Sequence, residues 1–591
     1  MIALIKKVTG LLTIAERGRV LIMIVLMLIG MLLEMFGIGM VIPLMSIFIQ
    51  NDLKTTYPQF EPFLNWLGNP NQLELLTMAL GFIFVVYLIK ALFLGASLWW
   101  QMRFVYGVQA SLSGRIFNSY LNQPYSFHLN KNTSELLRNA IMEVIEFNTK
   151  VLVPGTQLIG ESLVSFGIVV LLFIIEPVGA LVTFSIVISM AWAFYWIIRE
   201  PITRWGMERQ HHEGLRIQHL QQGLGAIKDV KLLAREQEFF GQFDVHNQIT
   251  AAMNRKRATV VELPRLWLEV LAVGGLATLV VVMVQQNRGP EEIISFLGLF
   301  GIAVFRLIPS ANRMLNSIQS LRFGLPVVEI LHKELHSVEN EVIAFKKEMV
   351  KSEKEEQSLH FNDNISIEKL CFSYSKDTPE VLNNLSFKIS RNDAIGIIGE
   401  SGSGKSTVVD LILGLLLPTK GNIYVDGVDI KSDLRSWQRS IGYVPQSIYL
   451  TDDTLRKNIA FGLPDDEIDD VAVDRAASAA QLSLFINELN EGLDTFVGER
   501  GVRLSGGQRQ RIGIARALYF DPEVLVLDEA TSALDTETEE GVMHAVEKLK
   551  GEKTLIIVAH RVSTLKGCNK VIQLDKGRLV RECTFDELEI T

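Results

Sequence analysis

The chain has 591 residues, more than one ordinary domain holds, and its net charge of −9 gives no reason to expect nucleic acid as a partner. Residues 1 to about 325 are rich in Leu, Ile, Val, Phe and Met, whereas residues from about 340 onward have the composition of a soluble protein. The three cysteines, Cys371, Cys568 and Cys583, lie in the soluble half without metal-ligand spacing, which indicates a reduced, cytosolic domain.

The apolar half contains six segments that approach or exceed the length needed to cross a bilayer. They are residues 20–48, 75–101, 150–174, 178–198, 266–286 and 291–312. The connections 102–149 and 199–265 are long and rich in Lys and Arg, whereas the others are short or weakly charged. The positive-inside rule therefore places both long connections and both termini in the cytoplasm. Such long connections predict helices that continue well beyond the bilayer, in a multi-pass protein of the cell (inner) membrane.

Three stretches between the spans interrupt the helical pattern. Residues 121–134 contain a proline and several polar residues, and residues 223–230 contain two glycines. Each of these is either a short transverse helix that docks on the soluble half or a plain helical turn. Residues 60–67 carry apolar and aromatic side chains between two prolines. They form either an amphipathic helix on the outer membrane surface or only the capped end of the first span.

Cationic side chains inside the spans are costly and usually face a cavity or a partner. Lys90 and Arg306 fall about 20–25 Å from the outer ends of their spans at ~1.5 Å per residue, and Arg265 and Arg313 lie nearer the inner interface. The first interpretation is that these four cations line a central cavity and hold an anionic, amphipathic cargo. In the alternative, Arg265 and Arg313 reach the headgroups, while Lys90 and Arg306 pair with glutamates of the spans. The candidate glutamates are Glu34, Glu161 and Glu269.

A charged stretch without an apolar stripe follows the last span and is typical of a solvated linker. It divides the chain into a membrane domain at 1–335, a linker at 336–358 and a soluble domain at 359–591.

The soluble half contains a strand, a glycine-rich loop and a helix in immediate succession, which is the context that a Walker A phosphate-binding motif requires. The glycines let backbone N–H groups turn toward phosphate oxygens, and the helix N-terminus adds its dipole. Lys405 supplies a charge to the β- and γ-phosphates of ATP, and Ser406 supplies a hydroxyl ligand for Mg²⁺. The predicted ATP-binding residues of this loop are Gly399, Glu400, Ser401, Gly402, Ser403, Gly404, Lys405, Ser406 and Thr407.

A second motif, at residues 524–529, is an apolar strand that ends in two carboxylates. Asp528 is placed to hold Mg²⁺ through water, and Glu529 is placed to polarise the attacking water. The alternative is two acids at an ordinary strand end, which the nearby Walker A motif disfavours.

With the sequence Leu-Ser-Gly-Gly-Gln at 504–508, these motifs resemble the ATPase domain of ABC transporters, and the resemblance covers residues 359–591. It implies that Tyr374 stacks on adenine, that Gln446 touches Mg²⁺ and the attacking water, and that His560 contacts the γ-phosphate. Residues 498–501 match a loop specific to exporters that contacts the coupling helices. The implied signature residues are Ser505, Gly506, Gly507 and Gln508, and Asp535 lies in a loop at the dimer interface.

In this family the signature of one subunit closes over the nucleotide that the Walker A loop of the other subunit holds. Each chain here has one signature and one Walker A loop, so the resemblance implies a dimer with two composite sites. No catalytic residue is degenerate, which favours a homodimer over a heterodimer with one impaired site.

Six spans before a single ATPase domain resemble an exporter half-transporter, that is, an all-α membrane domain fused to an α/β P-loop domain. Residues 306–313, 261–269 and Lys90-Ala-Leu-Phe further resemble the bacterial flippases of lipid-linked oligosaccharides used in protein N-glycosylation. This implies that Lys90, Arg265, Arg306 and Arg313 contact a polyprenyl-diphosphate cargo. Where those flippases have arginine, Lys90 keeps the charge but loses the bidentate fork. The alternatives are a lipid exporter of the lipopolysaccharide type, a multidrug exporter, or an ATP-gated channel.

Overall fold

The computed structural model of the chain describes residues 2–41, 44, 71–175, 177–286, 289–335, 359, 361–375, 378–530 and 536–589. The segment at 60–67, the linker at 336–358 and Asp535 lie outside the described residues. The chain divides into two compact units, one with residues 1–123 and 131–340 and one with residues 124–130 and 341–591.

The first unit is helical. Its helices are α1 (Ile2–Leu11), α2 (Ile14–Gly39), α3 (Gln72–Leu121), α5 (Thr133–Leu137), α6 (Glu143–Phe147), α7 (Val153–Ile175), α8 (Pro177–Gly225), α9 (Ile227–Leu232), α10 (Glu236–Gln285) and α11 (Pro290–Phe323). Two π-helical turns, Arg138–Met142 and Asn148–Leu152, join α5, α6 and α7 into one continuous helical backbone. Within the described residues, the stretches Ile14–Gly39, Leu73–Leu121 and Thr133–Ile175 are long and apolar enough to cross a membrane.

The helices extend past the lengths that a bilayer needs, as the long basic connections predicted. Helix α3 has 50 residues, which at ~1.5 Å per residue is more than twice the ~30 Å of a hydrocarbon core. Helices α8, α10 and α11 contain the predicted fourth, fifth and sixth spans. Buried apolar side chains such as Ile168, Leu279 and Phe300 pack α7, α10 and α11 together, whereas large apolar side chains such as Phe84 and Phe305 are exposed. Exposed apolar faces of this kind suit contact with lipid.

The stretch at 121–134 contains the short helix α4 (Tyr125–Asn130), which groups with the second unit rather than with the helices on either side of it. There, burial and the neighbouring Asp410 and Tyr374 raise the pKa of Tyr125. The docking interpretation of this stretch is therefore confirmed. Helix α9, in the other predicted docking stretch, groups with the first unit, and its docking stays a prediction.

The second unit contains two sheets. The strands are β1 (Asn364–Phe372), β2 (Leu382–Ser390), β3 (Ala394–Gly399), β4 (Lys420–Val425), β5 (Val428–Asp429), β6 (Ile441–Val444), β7 (Val524–Asp528), β8 (Thr554–Val558), β9 (Lys570–Asp575) and β10 (Arg578–Cys583). One sheet is antiparallel in the order β2-β1-β4-β5, and the other has the order β10-β9-β3-β8-β7-β6. In the six-stranded sheet, every neighbouring pair from β9 to β6 is parallel.

Helices connect several of the strands of the second unit, and four of them lie between β6 and β7. The helices are α12 (Lys405–Ile412), α13 (Leu434–Arg439), α14 (Leu455–Ile459), α15 (Asp470–Ala479), α16 (Ser483–Glu488), α17 (Gly506–Leu518), α18 (Thr536–Glu547) and α19 (Phe585–Glu589). Strands β3 and β7 are largely apolar, as expected for strands that are buried on both faces: they contribute Ile395, Ile397, Leu525 and Val526, all fully buried.

Candidate nucleotide site and buried charge network

The predicted catalytic residues meet at one edge of the six-stranded sheet. Strands β3, β6, β7 and β8 are parallel, so their carboxyl ends share an edge, which is where α/β sheets bind ligands. The Walker A loop follows β3, Gln446 follows β6, Glu529 follows β7 and His560 follows β8. The fold thus brings together four segments that are far apart in sequence.

The Walker A loop has the backbone that a phosphate cradle needs. Gly402 and Gly404 have φ values of 82° and 100°, in the left-handed region that favours glycine. A Cβ atom on Gly399 would lie 2.3 Å from the Leu574 carbonyl oxygen, so the loop leaves no room there for a side chain. Lys405 Nζ donates to the carbonyl oxygens of Gly399 (2.8 Å) and Glu400 (3.0 Å). The loop therefore holds its own lysine over the cradle, at the N-terminus of α12.

Two hydroxyl groups flank the loop. The Tyr374 hydroxyl lies 3.1 Å from Thr407 Oγ1, and the tyrosine ring is half exposed. This exposed ring is available for stacking, as predicted for the adenine-binding aromatic. Ser406, in the first turn of α12, is exposed, so its hydroxyl is accessible to a metal ion.

Glu529 is the centre of the catalytic contacts. Its carboxylate accepts a hydrogen bond from Gln446 Nε2 at 2.7 Å and lies 2.5 Å from His560 Nε2. Its backbone has a φ of 49°, uncommon for a residue with a side chain, and its N–H donates to the Val558 carbonyl at 3.1 Å. The neighbouring strand thus holds a strained backbone that aims the side chain, as is common at active sites.

Asp528 provides an oxygen suited to a metal ion. Its Oδ1 atom is buried and has no hydrogen-bond partner within the described part of the chain. Burial, followed by the charge of Glu529, raises the pKa of Asp528. A divalent cation would satisfy this oxygen and offset the desolvation, so Asp528 fits the predicted Mg²⁺ role.

Sequence reasoning missed two groups beside this aspartate. The Tyr443 hydroxyl on β6 hydrogen-bonds to the Asp528 carboxylate. Asp410, on α12, has its pKa raised to about 6 by burial and by the charge of Asp528. The available signal was a tyrosine in an apolar strand, three residues before Gln446, but only the strand order places it next to β7.

The signature residues form the start of α17. Ser505 is the N-cap: its Oγ accepts from Gln508 N (3.2 Å), and Gln508 Oε1 accepts from Ser505 N (2.8 Å). This capping box fixes the helix start, while Gly506 and Gly507 leave the first turn without bulky side chains. Gly506, the first residue of this 13-residue helix, is exposed, so the positive end of the helix dipole can be reached by an anion.

Three of the four predicted cations of the spans contact glutamates. Lys90 Nζ lies 2.5 Å from Glu34 Oε2, and the other oxygen of Glu34 accepts from Arg306 Nε. Glu161 contacts both Arg313, at 2.6 Å from Nε, and Arg306, at 3.6 Å from Nη1. The pairing alternative is therefore observed for Lys90 and Arg306. Arg313 is also paired with a glutamate, Glu161. Arg265 lies in α10, and its side chain is outside the part of the chain that the structure describes.

Comparison with known proteins agrees with this assembly of motifs. Residues 382–532 match the family profile of the ABC transporter, and residues 20–307 match that of the ABC transporter transmembrane region. An ATP-dependent lipid A-core flippase of Cupriavidus metallidurans is 30% identical over 82% of this chain and 80% of its own length. The chain belongs to the ABC transporter family. A second flippase with the same description, from Nitrosococcus oceani, is 29% identical over 81% of this chain and 79% of its own.

The architecture of this ABC transporter is that of an exporter. The solved structure of a bacterial Atm1-family ABC exporter with ATP bound matches 97% of the chain with a TM-score of 0.74, at 23% identity and over 96% of its own length. The predicted fold class, a helical membrane domain fused to an α/β P-loop domain, is confirmed. The predicted enzyme class, an ATP-hydrolysing membrane transporter, is confirmed as well.

Proposed function

We propose that the chain is one subunit of a homodimeric flippase that moves an anionic lipid-linked oligosaccharide, a polyprenyl-diphosphate glycan, across the cell (inner) membrane. The observation that carries this proposal is the charge balance inside the spans. Lys90, Arg306 and Arg313 are opposed by Glu34 and Glu161, which leaves one positive charge in excess in the described network. A cationic excess among membrane spans suits a cargo whose charged group is an anion.

The lipid character of the cargo is supported by the relatives. Those that match over most of their length are described as ATP-dependent lipid A-core flippases. A flippase substrate must keep apolar chains among the spans while its headgroup crosses the membrane. The charge network supplies the polar path for the headgroup, and the exposed apolar helix faces supply the lipid contact.

Hydrolysis is proposed to use the residues that meet at the sheet edge. Glu529 orients and polarises the attacking water, and Gln446 and His560 fix the position of its carboxylate. Lys405 and the loop N–H groups hold the phosphates. Mg²⁺ bound by Ser406, Gln446 and Asp528 would neutralise charge on the β- and γ-phosphates.

The second half of each site would come from the other subunit, whose Ser505-Gly-Gly segment closes over the nucleotide, with Asp535 at the interface. Closure of the two ATPase domains would then open the membrane cavity outward, and hydrolysis would reset it. Helix α4 supports this coupling because it belongs to the membrane half in sequence and to the nucleotide-binding unit in structure. Both termini and the ATPase domain would be cytoplasmic.

A lipid exporter of the lipopolysaccharide type is the second candidate, and the descriptions of the relatives favour it directly. Both candidates share an anionic, amphipathic cargo. The test is ATPase activity of the purified protein in liposomes that contain a polyprenyl-diphosphate glycan, lipid A-core, or an unrelated apolar compound.

Stimulation by the diphosphate glycan that is lost in Arg306→Ala supports the first candidate. Stimulation only by lipid A-core moves the assignment to the second. Equal stimulation by apolar compounds, indifferent to Arg306→Ala, overturns both. Glu529→Gln, which should not turn over in any of these liposomes, gives the background.

A further inference from the structure

The charge network links four spans in a fixed order. Lys90 on α3 contacts Glu34 on α2, and Glu34 contacts Arg306 on α11. Arg306 then reaches Glu161 on α7, and Glu161 reaches Arg313, two turns along α11. The two glutamates therefore have different positions: Glu34 lies between two inner cations, and Glu161 lies between Arg306 and the last cation of the series.

The two glutamates also differ in how deeply their side chains are buried. The side chain of Glu34 is 6% exposed and that of Lys90 13%, whereas Glu161 is 17%, Arg306 28% and Arg313 42% exposed. The series thus runs from a closed end at Glu34 to an open end at Arg313. Removing Glu34 would leave Lys90, the least exposed cation of the series, without its described counter-charge, which is costly. Removing Glu161 would leave Arg306 in contact with Glu34 and would uncover Arg313, the most exposed cation of the series.

From these two differences we propose that Glu161 is a displaceable internal anion, which the cargo diphosphate replaces on Arg306 and Arg313, while Glu34 stays in place. This inference rests on the proposed function and assigns a specificity-determining role to a residue outside the predicted cation set. Ser310 links Glu161 to Arg306: its Oγ donates to Glu161 Oε2 at 2.6 Å and accepts from Arg306 Nη1 at 3.0 Å. The hydroxyl therefore holds Glu161 against the arginine in the absence of cargo.

The charge balance specifies the class of anion. With Glu161 in place, the described network has one positive charge in excess. With Glu161 turned away, the three cations exceed Glu34 by two charges, which a diphosphate diester, a dianion, would neutralise. Glu161 thus lowers the electrostatic cost of an empty cavity and selects for a headgroup with enough charge to compete with a carboxylate.

The test compares charge-conserving changes at the two glutamates. Glu161→Asp shortens the side chain by about 1.5 Å and weakens its hold on Arg313 without changing the net charge. Ser310→Ala removes the hydrogen bond to Glu161, again without a charge change. Glu34→Asp is the matched control at the glutamate that is not displaced. Glu161→Gln removes the competing charge altogether.

The measurement is the concentration of a polyprenyl-diphosphate glycan in liposomes that gives half-maximal ATPase stimulation, with polyprenol as the uncharged control. Glu161 competes with the cargo through partly exposed ion pairs, so Glu161→Gln should lower this concentration by up to about fivefold. Glu161→Asp and Ser310→Ala should lower it by a smaller factor. The maximal stimulated rate should be retained. Glu34→Asp should show an unchanged or higher concentration.

Failure of this inference is distinct from failure of the proposed function. If the polyprenyl-diphosphate glycan stimulates the wild type but the Glu161 and Ser310 variants match it, or if Glu34→Asp shows the same decrease, displacement of Glu161 is wrong and the function stands. If lipid A-core stimulates the wild type and the polyprenyl-diphosphate glycan does not, the proposed cargo is wrong. The same variants are then measured with lipid A-core: a lower half-maximal concentration in Glu161→Gln than in Glu34→Asp supports displacement, and equal concentrations overturn it.

Discussion

Asn458 connects the segment that follows Gln446 to the signature helix, and its replacement tests whether this connection stabilises the ATPase domain. The residue is fully buried. Its Oδ1 accepts from Thr451 N (3.0 Å), Thr451 Oγ1 (3.2 Å) and Arg516 Nη2 (3.2 Å), and its Nδ2 donates to the carbonyls of Thr451 (3.1 Å) and Thr454 (3.0 Å). Asn458→Ala removes these five bonds at once.

The five lost hydrogen bonds differ in cost. In the variant, the Thr454 carbonyl still accepts a hydrogen bond from the backbone N–H of residue 458, and the Thr451 carbonyl still accepts one from the backbone N–H of Asp453. Arg516 keeps its bonds to the carbonyls of Asn458 and Tyr449. The Thr451 N–H loses its acceptor, which costs about 1–3 kcal/mol when the group is buried and less here because Thr451 is only half-buried. With about 1 kcal/mol for the space left by the side chain, we expect a loss of about 2–3 kcal/mol.

For a domain of this size, 1 kcal/mol corresponds to about 2–4 °C in Tm, so Asn458→Ala should lower the midpoint by about 4–12 °C. The assay is residual ATPase activity of the full-length protein after brief heating, supported by scanning fluorimetry. Asn490→Ala, at an exposed asparagine of the same domain, should stay within about 0.5 kcal/mol of wild type. If the two variants unfold at the same temperature, the Asn458 hydrogen bonds do not stabilise the domain and the reasoning is wrong.

Three further predictions concern the sheet and its catalytic edge. Glu529→Gln removes the water-polarising carboxylate and should lower ATP turnover by about 10²–10⁴-fold. Nucleotide binding, measured by equilibrium dialysis, should be retained. Hydrolysis near the wild-type rate would contradict the role of Glu529. Gly442→Ala should destabilise the domain, because its Cβ would lie 2.5 Å from the Ala517 carbonyl oxygen on α17, and a thermal midpoint equal to wild type would show that the helix can move away. Burial and the charge of Asp528 raise the pKa of Asp410 to about 6. The folded protein therefore binds this proton more tightly than the unfolded chain does, and the free energy of unfolding falls as the pH rises from about 4 to 6. Asp410→Asn should therefore raise the thermal midpoint at pH 8 in EDTA, with a gain that shrinks below about pH 5; an equal gain at pH 4 would exclude titration as the cause.

The sequence was most informative where function requires a fixed spacing within one segment. The Walker A loop places a lysine and a hydroxyl directly after a strand, so Lys405 and Ser406 could be assigned from residues alone. Gln446 and His560 needed the family resemblance, because nothing local distinguishes them from other polar residues after a strand. Parallel pairing of β6, β7 and β8 then explains why they reach Glu529. Tyr443 and Asp410 were missed since their role depends on neighbouring elements.

In the spans, the sequence predicted the positions of the cations but left open whether Lys90 and Arg306 face a cavity or pair with glutamates. Helix lengths followed from apolar segments and basic connections, and each predicted cation does lie in a long helix. Whether Arg306 faces an open cavity or a glutamate depends on the rotation of α2 and α7 about their axes, which the 3.6-residue period fixes only when one face is clearly polar. Glu34 is the only charged residue of α2 after Arg19, and Glu161 is the only charged residue of α7, so the sequence gives no polar face to orient them.

The outcome changes what the cations imply about transport. Free cations in a cavity would bind an anion with an affinity set by their charge alone, and release would have to work against the whole of that attraction. When the cations already contact Glu161, cargo binding gains only the difference between the free energy of the cargo contacts and that of the Glu161 contacts. The cargo therefore binds more weakly and is released more easily. For a transporter that must let go of its cargo in every cycle, a charge network with its own replaceable anion is therefore the more workable arrangement, and Arg313, the most exposed cation of the series, is where cargo would first compete with it.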